Sequence, residues 1–138
     1  MRTLYLDCGM GAAGDMLTAA LLELLPEREA FLAELNGLGI PGVEFSTEKC
    51  EKCGISGTHM SVKIHGREEG EAHPHTHGTM RDIRAIVEGL PISTMVKLDI
   101  LSVYEEIAQA ESHVHGVPVS QIHFHEVGAL DAVADITA

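Results

Sequence analysis

A chain of 138 residues with 45% hydrophobic residues can bury one real core, and three Phe, two Tyr and no Trp leave that core to Leu, Ile, Val, Ala and Met. Twenty-one acidic against nine basic residues give a formal charge of -12, which argues against nucleic acid and anionic membrane surfaces as partners and favours divalent cations. The three cysteines are an odd set, which argues against a disulfide framework; residues 1–7 lack the apolar stretch of a signal peptide, and a cytoplasmic protein is expected.

Residues 3–6 read as a short strand, followed by a turn with glycines at 9, 11 and 14. Residues 15–25 follow a helical period through Leu17, Leu21, Leu22 and Leu25; the most apolar window, residues 16–25, is too short to span a bilayer and carries Glu23. Pro26 ends that helix and can open a second through Phe31, Leu32 and Leu35 to Gly37. Residues 43–49 alternate at Val43, Phe45 and Thr47, and residues 58–64 at Met60, Val62 and Ile64; Gly54 and Gly57 between them suit an antiparallel hairpin. Residues 66–78 have no apolar periodicity and read as a mobile His-rich loop. Thr79 caps a helix over 80–89, and Ser93 caps a long one through Val96, Ile100, Val103, Ile107 and Ala110 that stops at Gly116. Residues 122–127 are extended, and a last helix follows Gly128 with Leu130, Val133, Ala134 and Ile136 apolar. That helix stops without a terminal signal, so residues 1–138 are read as one N-terminal domain of a longer protein. The expected fold is α+β, a small, mainly antiparallel sheet with helices on one face, in an order compatible with a ferredoxin-like arrangement.

Chemistry concentrates in the closing stretch His123-Phe124-His125-Glu126-Val127-Gly128-Ala129-Leu130-Asp131-Ala132-Val133-Ala134-Asp135. On an extended segment His123 and His125 leave the same face, and Glu126 leaves the other. Asp131 and Asp135 stack on one face of a helix. Imidazole and carboxylate at such spacings suit a first-row transition metal. A second metal signal is His73, His75 and His77, alternate histidines on the flexible tract, suited to loose capture of nickel, zinc or copper rather than to chemistry. In the N-terminal turn, Asp7, Gly11, Gly14 and Asp15 are candidates for holding a ligand. The layout of strand, glycine turn and helix exposes N–H groups to an anion. The bland alternative is a tight bend, with Asp15 favouring the helix start. Gly9, Gly11 and Gly14 fit a dinucleotide fingerprint by spacing alone. Cys50 and Cys53 lack a second pair at zinc spacing and read as a chance pair. His113 and His115 suit a helix C-terminus.

With these residues in view, the chain resembles the N-terminal part of the LarC family, the nickel-insertion proteins that mature the nickel-pincer cofactor of lactate racemase. The resemblance rests on Asp7-x-x-x-Gly11-x-x-Gly14-Asp15-Met16 and Gly54-Ile55-Ser56-Gly57-Thr58. It extends to the His-rich tract before Arg81-Asp82-Ile83, to Val114-His115-Gly116, and above all to the closing motif. The family often carries Ser where this chain has Ala13, and Cys50 and Cys53 stand outside its pattern. The resemblance implies a nickel insertase, a lyase-class cyclometallase acting on a pyridinium-3,5-bisthiocarboxylic acid mononucleotide with CTP and Mg(II) or Mn(II). CTP use belongs to the C-terminal region.

On this reading His123 and His125 bind Ni(II), and Glu126, Asp131 or Asp135 is the base for the proton lost from carbon. Asp7, Gly11, Gly14 and Asp15 face the cofactor precursor. The partners implied are the precursor mononucleotide, the C-terminal region of the same protein, and lactate racemase or a related apo-enzyme, in a homo-oligomer. Two other classes compete: a nickel or zinc storage module without catalysis, and a metal-dependent phosphoester hydrolase built on Asp7, Asp15, His123 and His125.

Overall fold

The computed structural model describes residues 1, 3–9, 11–68, 78–124 and 130–138. The expected loop histidines His73, His75 and His77, and His125 and Glu126 of the closing motif, lie outside the described residues.

The fold is α+β. Helix α1 (Gly14–Leu22) and helix α2 (Arg28–Gly37) lead into a hairpin of β1 (Val43–Lys52) and β2 (Ile55–Ile64). The hairpin is paired from Val43↔Ile64 to Lys52↔Ile55, longer at both strands than the alternation alone indicated. Its two-residue turn places Cys53 at φ 54° and Gly54 at φ 76°. Two successive left-handed residues match the right-handed twist of the strands they join. Strand β3 (Arg67–Glu68) adds to the β2 edge, and β4 (Gly78–Thr79) pairs separately with β5 (His123–Phe124). Between these last two run α3 (Met80–Gly89) and α4 (Thr94–His115), and α5 (Leu130–Thr137) closes the chain.

Strand alternation sorts the hairpin into two faces. Phe45, Met60, Val62 and Ile64 are buried, while Glu48 and His59 meet across the opposite face at 3.5 Å. Helices α1 and α5 lie against β2 and α2 against β1, so the helices share one side of the hairpin. The outer edge of β1 is closed by a side chain. The Asn36 amide on α2 accepts from Phe45 N at 2.8 Å and donates to Phe45 O at 2.9 Å, standing in for a neighbouring strand. One core joins the hairpin to Leu22, Leu35, Ile83, Val87, Ile100, Tyr104, Phe124 and Val133.

Several expectations need correction. Residues 3–6 form no strand: Leu4, Tyr5 and Leu6 are exposed, and no described strand pairs with them. A strand exists only where its backbone groups find a ladder. The buried stripe of α1 is Thr18, Ala19 and Leu22, with Leu21 and Leu25 exposed; that of α4 is Ile100, Leu101, Tyr104 and Ala108, with Val96 and Val103 exposed. Leu22 and Ile100 stay buried as the spacing suggests, but the rest of each stripe is turned, toward Thr18 and Ala19 on α1 and toward Leu101, Tyr104 and Ala108 on α4. Among the described residues the strands form two sheets with orders β1-β2-β3 and β4-β5, not a ferredoxin-like sheet. No helix among the described residues is long and apolar enough to cross a membrane.

Thr79 and Asp82 close a capping box at the start of α3. The Thr79 hydroxyl donates to Asp82 Oδ2 at 2.7 Å, Thr79 N donates to the same oxygen at 2.9 Å, and Asp82 N donates to the Thr79 hydroxyl at 3.3 Å. These bonds, the hydroxyl first and the backbone N–H second, hold the Asp82 pKa below its ordinary value of 3.8. A lowered folded-state pKa contributes stability that is complete above the ordinary value and lost as pH falls through the folded one. We expect Thr79→Ala to lower the melting temperature at neutral pH, with a smaller deficit in acid well below 3.8, where the wild type has lost the same bond. Thermal melts of both proteins across that range check this.

Candidate functional site

Two short strands fix the closing motif. Strand β5 pairs with β4 through Gly78↔Phe124 and Thr79↔His123, so the capping box stands directly beside the first histidine. Phe124 is 1% exposed and meets the Tyr104 ring edge-on, with centroids 6.0 Å apart and planes at 61°. Its neighbour His123 is exposed. The strand period of two thus buries the aromatic side chain as an anchor and turns the imidazole outward.

The carboxylates come from α5. Asp131 and Asp135 are half-buried, while Val133 and Ala134 between them are buried in the core. Asp131 Oδ1 accepts from Ala132 N at 2.8 Å. Both carboxylates act on the Tyr104 hydroxyl from the α5 side of α4. Burial first, and then Asp131 and Asp135, push the phenol pKa well above its ordinary value of 10.0, so the group remains a neutral donor. Tyr104 is fully buried, and its hydroxyl has no hydrogen-bond partner among the described residues. Such a donor costs about 1–3 kcal/mol relative to a satisfied one. The Thr137 hydroxyl near the end of α5 is unsatisfied in the same way.

The N-terminal turn reaches the same place. Gly14, the first residue of α1, packs against α5 so closely that a Cβ there would stand 2.6 Å from Asp135 Cβ and 2.7 Å from the Asp135 carbonyl oxygen. The α1 N-cap is Ala13, which supplies no side-chain hydrogen bond. Asp15 Oδ1 accepts from Met16 N at 2.7 Å. Asp7 stays in the preceding turn, where its Oδ1 accepts from Gly9 N at 3.1 Å, and Gly11 adopts φ 108°. The glycine at 14 is therefore required by packing, and the one at 11 by backbone conformation.

The structure thus brings together the start of α1, the carboxylate face of α5, Tyr104 and the anchor of β5. It does not gather a finished metal site: among the described residues no three His, Cys, Asp or Glu stand close enough to hold an ion. Asp7, Asp15 and His123 consequently form no three-ligand cluster. Cys50 and Cys53 are free thiols at the hairpin tip. His115 Nε2 meets Glu111 Oε2 at 3.0 Å, one helical turn away on α4. The hollows on the described surface, about 280 and 520 Å³, lie elsewhere, between α1, α2 and the hairpin. Arg28 and Lys49 line both, balanced by Glu29 and Glu48 in the one and by Glu23 and Glu51 in the other, so an anion finds no net positive field there. Tyr104 is the residue that sequence reasoning missed. Its signal was its place four residues from both Ile100 and Ala108, on the stripe that turns out to be buried.

Comparison with known proteins decides the family. The family described as "Nickel insertion protein" matches residues 4–138. The chain belongs to that family. It is 40% identical over 138 residues to the pyridinium-3,5-bisthiocarboxylic acid mononucleotide nickel insertion protein of Akkermansia muciniphila, covering 99% of this chain and 34% of that protein. A protein of the same name from Lactiplantibacillus plantarum is 38% identical over 149 residues, covering 99% of this chain and 36% of that protein. Another, from Geobacillus kaustophilus, is 38% identical over 141 residues, covering 100% and 34%. The chain spans about a third of the length of these curated relatives. No solved structure matches it. The family membership agrees with the LarC resemblance carried by the N-terminal turn and the closing motif.

The contact of α1 with α5 is open to direct test. Gly14→Ala should destabilise the chain by about 1–3 kcal/mol, because both colliding partners are backbone or near-backbone atoms that cannot swing aside. Gly89→Ala, whose added Cβ meets nothing within 4 Å, should not. Denaturant melts of the two variants distinguish a packing requirement from a general intolerance of Ala.

Proposed function

We propose that this chain is the nickel-handling part of a nickel insertase that metallates a pyridinium bisthiocarboxylate mononucleotide to make the nickel-pincer cofactor of lactate racemase. The observation that carries the reading is the family match over residues 4–138, with relatives named for that mononucleotide. Support comes from the junction of the α1 start, the Asp131–Asp135 face and the segment that begins at His123.

Nickel(II) is here a substrate that must be held and then released. Imidazole nitrogens of His123 and His125 take it, with Asp131 or Asp135 adding a carboxylate oxygen, a donor set that leaves positions open for the precursor's sulfur atoms. Forming a nickel–carbon bond in place of a ring C–H releases one proton. A carboxylate of Glu126, Asp131 or Asp135 accepts it. The turn carrying Asp7, Gly11, Gly14 and Asp15 contacts the mononucleotide, with uncapped N–H groups of α1 as donors. His73, His75 and His77 gather nickel and deliver it. CTP, Mg(II) or Mn(II), the homo-oligomeric assembly and the hand-over to lactate racemase or a related apo-enzyme belong to the full-length protein. This chain alone binds nickel without completing insertion.

The test is nickel titration of the chain by calorimetry, with and without His123→Ala plus His125→Ala, each also in a background where His73, His75 and His77 are Ala. In that background the double change should weaken binding roughly 100-fold or more, beyond what losing an outer-shell partner costs. His123 is exposed, so its loss should leave the melting temperature nearly unchanged. Binding should also weaken in acid, because metal and proton compete for the same imidazole nitrogen. A stable double variant with wild-type affinity in the tract-free background would falsify the ligand assignment. Affinity that resides wholly in the 73–77 tract would instead favour a storage module.

A further inference from the structure

We infer that Tyr104 is a positioning residue for the nickel site: its buried hydroxyl is a donor held in reserve for the carboxylates of Asp131 and Asp135 when they turn to a cation. The inference rests on the reading of those carboxylates as part of the nickel-handling site, and it names a residue that this reading does not contain.

Three observations carry it. First, the ring does the packing without the hydroxyl. Tyr104 is fully buried, and its contact with Phe124 is between ring faces and edges, which Phe would make equally well. Second, the hydroxyl has no partner among the described residues, although buried hydroxyls almost always find one. Third, the charged groups that act on it are Asp131 and Asp135, which are half-buried at the α5 surface. A buried neutral donor thus lies within electrostatic reach of two half-buried carboxylates.

The chemistry of that arrangement is specific. Two carboxylates one helical turn apart repel each other. A divalent cation drawn to them would pull oxygen atoms outward and leave an oxygen facing inward. Asp131 Oδ1 is already engaged with Ala132 N, so a second donor is what a fixed carboxylate still requires. A phenol supplies one hydrogen and no charge. Donation to a ligating carboxylate sets its orientation in the way that outer-shell groups do at metal sites, where their loss costs about 10–100-fold in affinity.

Tyr104→Phe separates this role from a structural one, because the two predict opposite signs. The variant keeps the ring and removes an unsatisfied buried group. Its nickel-free melting temperature should therefore hold or rise, while its nickel affinity by calorimetry falls about tenfold or more in the background lacking His73, His75 and His77. A melting temperature that falls, with affinity unchanged, overturns the inference: the hydroxyl is then structural. Affinity equal to that of the parent likewise overturns it and leaves the nickel reading standing. Failure of the parent chain to bind nickel in that background overturns the nickel site at these residues, and the role of Tyr104 with it.

Discussion

The edge-on packing of Phe124 against Tyr104 is the contact on which the site depends. Only five aromatic side chains exist in the chain, and two of them are spent at one point, where β5 meets α4. Strand β5 is two residues long and pairs with a strand equally short. So few ladder bonds cannot hold a strand in water, so the buried ring must do it. Once Phe124 is fixed, the period of the strand decides where its neighbours go. A residue that binds no ligand thereby sets the direction of the histidine that precedes it.

Charge works against this core as much as packing works for it. A formal charge of -12 raises the cost of compactness, and Asp131 and Asp135 add like charges at adjacent turns of α5. Both act on a buried phenol that has no hydrogen-bond partner among the described residues. An arrangement chosen for stability alone would place Phe at 104 and neutral residues at 131 and 135. The unfavourable terms lie together, on the face that adjoins the start of α1. On the nickel-handling reading proposed above, one divalent ion held by these carboxylates would relieve that repulsion.

Much of the fold was legible because local signals agreed. Thr79 and Ser93 mark helix starts by chemistry that acts within three residues, and Gly116 at φ 66° marks an end in the same way. The hairpin declared itself through alternation, and its class was visible before its turn. What local patterns could not supply was rotation and partnership. Leu21 and Val103 fit a helical period as well as Ala19 and Tyr104 do, yet the small Ala19 and the ring of Tyr104 are the ones buried. Residues 3–6 have the composition of a strand, but no neighbour among the described strands. In the site, the roles of Asp131 and Asp135 as one face followed from spacing, whereas their meeting with Gly14 and Tyr104 joins segments far apart in sequence. No period in a single chain encodes that.

Gly14 shows how such a long-range junction leaves a trace. As part of a glycine pattern it resembles a phosphate-binding turn, and its neighbours Gly9 and Gly11 encourage that reading. Its φ is not in the left-handed region, so the backbone does not require glycine there; the approach of Asp135 does. The missing Cβ lets α1 begin against α5, and the uncapped end of α1 then lies beside the carboxylate helix. Glycine here is a statement about α5, which begins more than a hundred residues later in the chain. The opening and closing motifs, which both carry the family resemblance, meet in one contact, Gly14 against Asp135.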